Sequence, residues 1–122
     1  MLPAPTETRP WGAYQNLFNG DDFLVKLIEV SPGHRLSLQR HFKRAEYWIV
    51  IRGRGVFELN GKRAAIGPGD MVMVGLRDTH RVSNEGPEPL LILEVQKGEC
   101  REDDIERLAD DYNRAAPPIE VS

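Results

Sequence analysis

Turn signals break this chain into short pieces, and that rhythm limits what it can fold into. Val56-Phe57-Glu58-Leu59 runs into Asn60-Gly61, a two-residue hairpin signal. Pro32-Gly33, Gly67-Pro68-Gly69-Asp70 and Pro87-Glu88-Pro89 mark further turns. Between them lie runs of β-formers: Phe23 to Val30, Tyr47 to Ile51, Met71 to Val74 and Leu90 to Val95. The run Tyr47 to Ile51 is continuously apolar, as for a strand buried on both faces. Short strands at near-regular spacing predict a sandwich, barrel or jelly roll. The end of the chain changes character. Ile105, Leu108, Ala109 and Tyr112 recur at helical spacing behind Glu102-Asp103-Asp104, acids that suit a helix N-terminus. The expectation is a single domain: a flexible lead over residues 1–8, a barrel over 9–98 and a short C-terminal helix over 101–115, stopped by Pro117-Pro118.

A chain of 122 residues supports one core. The net charge of −3 comes from interspersed acids and bases, which leaves no electrostatic footprint for nucleic acid. The longest apolar runs are far too short to cross a bilayer, and the opening MLPAPTETRPWG has no hydrophobic signal core. The lone Cys100 cannot close an internal disulfide, so a reducing cytoplasm is expected. It has no histidine near it in sequence, and a free thiol is the expectation rather than a nucleophile.

Four residues carry the chemistry. Gln39 and His41 are two apart, so an extended chain points both to one face. Glu46 follows, and His80 lies further along. Two imidazoles, a carboxylate and an amide oxygen form a mixed N/O donor set for one divalent metal. Zinc comes first, with manganese, iron, cobalt and nickel also suited to such donors. Trp48, inside an apolar run, is expected in the core; Trp11, between Pro10 and Gly12, suits a barrel mouth or a dimer interface.

The spacing Gly33, five residues, Gln39, one residue, His41, four residues, Glu46, six residues, Gly53 resembles the first cupin motif. Gly69, ten residues, His80, three residues, Asn84 resembles the second. Gln39 stands where that pattern usually has His, and Gly75 and Arg77 stand where it has Pro and Gly. Over about residues 9–114 the chain resembles the cupin-type isomerase domain of type II mannose-6-phosphate isomerases, often fused behind a mannose-1-phosphate guanylyltransferase. The resemblance rests on Arg9-Pro10-Trp11-Gly12, on Arg35-Leu36-Ser37-Leu38-Gln39, on Arg44-Ala45-Glu46 with Trp48, and on Glu102-Asp103-Asp104-Ile105 with Arg107.

That resemblance implies an all-β cupin, a double-stranded β-helix or jelly-roll barrel. It implies a metal on Gln39, His41, Glu46 and His80, and interconversion of mannose 6-phosphate and fructose 6-phosphate. The family usually carries histidines where Phe42, Lys43 and Tyr47 stand here. The general base is therefore open, with Lys43, Tyr47 and His34 as candidates. Arg35, Arg40, Lys43, Arg44 and Arg81 lie near the donors in sequence. Arg35 and Arg81 are the candidates for the substrate phosphate. Arg35 shares the parity of Gln39 and should face inward, whereas Arg81 alternates away from His80. By analogy with small cupins a homodimer is expected, packed through Arg9 to Leu17. A cupin enzyme of another metal-dependent class, and a non-catalytic module binding a sugar or an effector, are the alternatives.

Overall fold

A computed structural model describes residues 6–114. All of its regular structure is strand, and every pairing is antiparallel. One sheet orders β1 (Glu7–Arg9), β2 (Gly12–Asn19), β3 (Phe23–Val30), β10 (Leu90–Gly98), β5 (Arg44–Arg52) and β8 (Met71–Val74). The other orders β11 (Glu106–Ala109), β4 (Leu38–Arg40), β9 (His80–Ser83), β6 (Gly55–Leu59) and β7 (Lys62–Ile66). At the β6–β7 hairpin Asn60 and Gly61 have φ of 51° and 84°, the left-handed pair that a type I′ turn requires.

The inward faces explain where a site can form. On β3, Leu24, Lys26, Ile28 and Val30 are buried; on β5, Arg44, Glu46, Trp48 and Val50; on β10, Leu90, Ile92, Glu94 and Gln96. On β5 and β10 the buried face therefore runs from an apolar half to a polar half, while on β3 Lys26 is the one polar residue on it. Register aligns the halves: Ile92 sits opposite Ile28 and Val50, Glu94 opposite Lys26 and Trp48, and Gln96 opposite Glu46. Phe57, Ile66 and Val82 of the second sheet close the apolar half against Ile28, Val30, Trp48 and Ile92. Such packing makes truncation of Trp48 to alanine destabilising by about 3–5 kcal/mol. The polar half becomes the site.

Three expectations need correction. The run Tyr47 to Ile51 is not buried on both faces: β5 alternates, and Ile51 is exposed. Residues 101–114 form no helix. Glu106–Ala109 instead pair with β4, because an unpaired strand edge offers hydrogen bonds that a short isolated helix cannot match. The acids that suited a helix start are used otherwise: both carboxylate oxygens of Asp104 accept amide N–H groups, from Phe42 and Lys43, at 2.9 Å each. The expected lead over 1–8 is strand at Glu7–Arg9, paired with β2, and residues 1–5 lie outside the described part. The segment Arg9 to Leu17 thus belongs to its own sheet, and Trp11 is buried in the core. Among the described residues no helix is long and apolar enough to cross a membrane.

Candidate metal centre

Three donors converge where the polar half of β5 faces β9. Metal-ligating atoms of His41, Glu46 and His80 all lie within 4.8 Å of one another. The side chains are at most 2% exposed. Glu46 sits at an inward position of β5, His80 opens β9, and His41 follows β4 directly. Cross-strand pairing sets Gln39 opposite His80. The His80 imidazole is held by its ring as well: it stacks on Phe57 and meets Trp48 edge-on.

Hydrogen bonding assigns the tautomers. Nδ1 of His41 lies 2.6 Å from the Asp104 carbonyl oxygen, and Nδ1 of His80 lies 3.1 Å from that of Asp78. A carbonyl only accepts, so each Nδ1 carries the proton and each Nε2 aims a lone pair into the cluster. This is the backing that metal-bound histidines commonly have. Nε2 of His80 is buried, has no hydrogen-bond partner among the described residues, and faces Glu46 Oε1 at 3.3 Å. A lone pair against a carboxylate with no donor between them is repulsive, and a cation on both removes the conflict. The donors already attract one cation: Arg44 donates from Nε to Glu46 Oε2 at 2.8 Å and lies 3.2 Å from His41 Nε2 through its terminal nitrogen. The residues present therefore fit a divalent metal, provided that this Arg44 nitrogen withdraws from His41.

Gln39 is the fourth expected donor. Its amide nitrogen is 3.3 Å from His41 Nε2, while its oxygen accepts from the Ser37 hydroxyl at 2.7 Å. Turning the amide over would present oxygen to the cluster. Ser37 would then accept instead of donate, so its hydrogen bond would survive.

Burial lowers the His41 pKa below the ordinary imidazole range, against the opposing pull of Glu46, which keeps the ring neutral to more acid pH. Burial would raise the Glu46 carboxyl, but the His80 and His41 rings when protonated, and the Arg44 guanidinium at 2.8 Å, hold it well below its usual range. Glu94 goes the other way. Burial and the neighbouring Glu46 push its carboxyl well above the carboxylate range, with Lys26 only partly opposing.

A cavity of about 80 Å³ opens beside the donors, lined by Gln39 and Arg44 and by Glu94, Gln96, Tyr14 and Trp48. Five cations reach it: Arg9, Lys26, Arg44, Arg107 and Arg114. Apart from Arg44, a neighbour of the donors in sequence, none of these cations was a sequence candidate. Lys26 and Glu94 had a legible signal, since both hold inward parity on their strands. Arg107 entered only among the residues of the family resemblance and was given no role, because the sequence around it reads as helix.

The remaining sequence candidates do not reach this cavity. Arg35 is 40% exposed on its side chain and forms a two-pronged ion pair with Asp111, at 2.7 and 3.0 Å. Its inward orientation is thereby corrected. The alternation that linked it to Gln39 fails because β4 begins only at Leu38, and Arg35 makes just an isolated bridge to Ser83. Arg81 does point away from the donors, and its guanidinium binds the carbonyls of Leu36 and Ala109. His34 bonds through Nδ1 to the Tyr112 hydroxyl at 2.7 Å, beside Arg35 and Asp111. Lys43 is exposed and lies near Glu99. Tyr47 takes the outward parity of β5. Where the motif pattern has Pro and Gly, Asp78 instead holds the turn. Its carboxylate accepts from Gly75 N at 2.8 Å, and Arg77 adopts a φ of 67°.

Comparison with known proteins places this geometry. Residues 5–110 match the family model described as mannose-6-phosphate isomerase C-terminal. The chain is 45% identical over 111 residues to alginate biosynthesis protein AlgA of Pseudomonas aeruginosa, covering 90% of this chain and 23% of that protein. It is 40% identical over 107 residues to mannose-1-phosphate guanylyltransferase of Escherichia coli, covering 87% and 22%. The chain thus spans less than a quarter of the length of these relatives. Among solved structures, a conserved protein of Klebsiella pneumoniae with a double-stranded β-helix domain superposes with a TM-score of 0.71 at 21% identity, covering 90% of both chains. With that likeness, and with a family match over nearly its whole length, the chain has the cupin fold and belongs to the mannose-6-phosphate isomerase C-terminal family.

Proposed function

We propose that this chain is a metal-dependent sugar-phosphate isomerase interconverting mannose 6-phosphate and fructose 6-phosphate. The observation that carries the reading is the convergence of His41, Glu46 and His80 directly behind Gln39 and Arg44, which line a cation-rich cavity. His41, Glu46 and His80, with Gln39 turned over, would hold the metal. Bound there, a divalent ion would act as a Lewis acid toward sugar oxygens and stabilise the negative charge that develops as a proton moves between C1 and C2.

The chain's own groups would do the rest. Glu94 is the buried carboxyl of the cavity wall outside the donor set, and that position suits it to the proton transfer in this reading. Gln96 donates to Glu94 Oε2 at 3.4 Å, and Lys26, the register partner of Glu94 on β3, adds a nearby positive charge. Tyr14 and Trp48 offer flat faces to a sugar ring. The cavity of about 80 Å³ is small beside the roughly 300–1,000 Å³ of typical ligand pockets. Admitting a hexose phosphate therefore requires lining side chains to draw back. Arg44 is among them, and its withdrawal from His41 is also what metal binding requires.

The departures from the family pattern support an intact site. Phe42 and Lys43 are on the surface and Tyr47 faces outward, so no cavity group is lost at these positions. The reading includes a cytoplasmic setting, in keeping with the free thiol of Cys100, and a homodimer that sedimentation can test. The decisive experiment is an isomerase assay on metal-loaded protein, with fructose 6-phosphate detected directly and glucose 6-phosphate run alongside. Turnover of mannose 6-phosphate that disappears with chelator is expected. Absence of fructose 6-phosphate from fully loaded protein would end the isomerase reading.

A further inference from the structure

The charges around the cavity do not balance. Of the five lining cations, Arg44 is committed to Glu46, Lys26 to Glu102 at 3.2 Å, and Arg114 to Asp110 through two hydrogen bonds at 2.9 Å. Arg9 is fixed by the Tyr14 hydroxyl at 3.0 Å and lies over the ring of that tyrosine. Arg107 is different. Its Nε is buried and has no hydrogen-bond partner among the described residues. A buried guanidinium donor left unpaired is expensive to hold, more so than a neutral group. Burial, with the charges of Arg114 and Arg9, also makes its protonated form less favourable.

Position makes this imbalance specific. Arg107 on β11 is the register partner of Gln39 on β4, so the two share a face of the sheet. Gln39 in turn is opposite His80. The unpaired guanidinium therefore lies one strand from a candidate metal donor, in the same cavity.

We propose that Arg107, flanked by Arg9 and Arg114, is the subsite for the phosphate group of the substrate. The inference rests on the sugar-phosphate reading above and assigns the anion-binding role to this cavity, which Arg35 and Arg81 do not line. A guanidinium binds a phosphate through two parallel hydrogen bonds. Arg9 and Arg114 are already fixed by Tyr14 and Asp110, so little ordering is left to do when the anion arrives.

The test uses inorganic phosphate as probe, with the full-length chain, by calorimetry at two salt concentrations. Metal-loaded parent should bind phosphate saturably, more weakly at high salt. Arg107→Leu should weaken binding about tenfold to hundredfold, Arg107→Lys less, and Arg35→Leu not at all. Circular dichroism checks each fold, and if Arg107→Leu does not fold, Arg107→Gln and Arg9→Gln carry the test. Phosphate affinity in Arg107→Leu within twofold of the parent, an equal loss in Arg35→Leu, or no saturable binding by the parent overturns the subsite. The isomerase reading is judged separately. Phosphate binding that depends on Arg107 without any turnover leaves the subsite standing and the reaction wrong. Turnover with an unchanged KM for mannose 6-phosphate in Arg107→Leu leaves the reaction standing and the subsite wrong.

Discussion

The two walls of the cavity are built on different principles. At the metal wall, charges of opposite sign meet at short range: Glu46 has both oxygens engaged, by Arg44 at 2.8 Å and by the Trp48 indole at 3.0 Å. Both imidazoles are backed by carbonyls. At the other wall, cations from β1, β11 and the segment after it gather with too few acids, and one donor stays unpaired. The first wall is preorganised to hold a cation and the second to receive an anion. A phosphorylated substrate engaging a metal at one end and arginine at the other needs both.

The largest effect should come from His80→Ala at the metal wall. Metal affinity should drop about a hundredfold or more, beyond what losing a backing residue does, and turnover should vanish. Metal titration with far-UV circular dichroism checks this. Unchanged affinity would dissolve the contrast between the walls. Next, Glu94→Gln keeps the shape but removes the exchangeable proton. Its kcat should fall by roughly a hundredfold to ten-thousandfold while metal stoichiometry holds. A full kcat would move the base elsewhere.

Asp104→Ala asks how far the metal wall depends on the segment carrying the anion wall. This residue ties the amides of Phe42 and Lys43 and supplies the carbonyl behind His41. Its loss should weaken metal binding about tenfold, since backing partners contribute on that scale. A smaller effect follows pH. Because burial depresses the His41 pKa, the folded state holds fewer protons there than the unfolded chain once pH falls below about 6.5. Glu46, depressed as well, acts in the same direction at lower pH. Glu94, raised instead, acts in the opposite direction, so the decline in stability of the metal-free protein as pH drops should be clearest in Glu94→Gln, and metal should be released over the same direction of change. Thermal melts of metal-free Glu94→Gln across pH 7 to 4 would show it, and a melt that rises on acidification in that variant would contradict the neutral-imidazole wall. The smallest effect belongs to Arg35→Leu, which breaks an exposed pair with Asp111 and should shift stability by less than about 1 kcal/mol.

Local pattern determined a good part of this protein. The Asn60-Gly61 hairpin and the runs at Phe23 to Val30 and Met71 to Val74 came through residue for residue, because turn chemistry and β-propensity act over a few neighbours. The grouping of Gln39, His41 and Glu46 was legible for the same reason, since all three lie within eight residues of one another. Tertiary structure decided what depended on partners far away in the chain. Residues 106–109 carry helical spacing, yet they pair with β4 because the edge was there to be paired. Arg35 has the parity of Gln39 but not its direction, because parity holds only along a continuous strand. The anion wall draws Arg9, Lys26, Arg107 and Arg114 from both ends of the chain. No local rule joins residues so far apart. Only closing two sheets over one core brings their charges close enough for an unpaired guanidinium to matter.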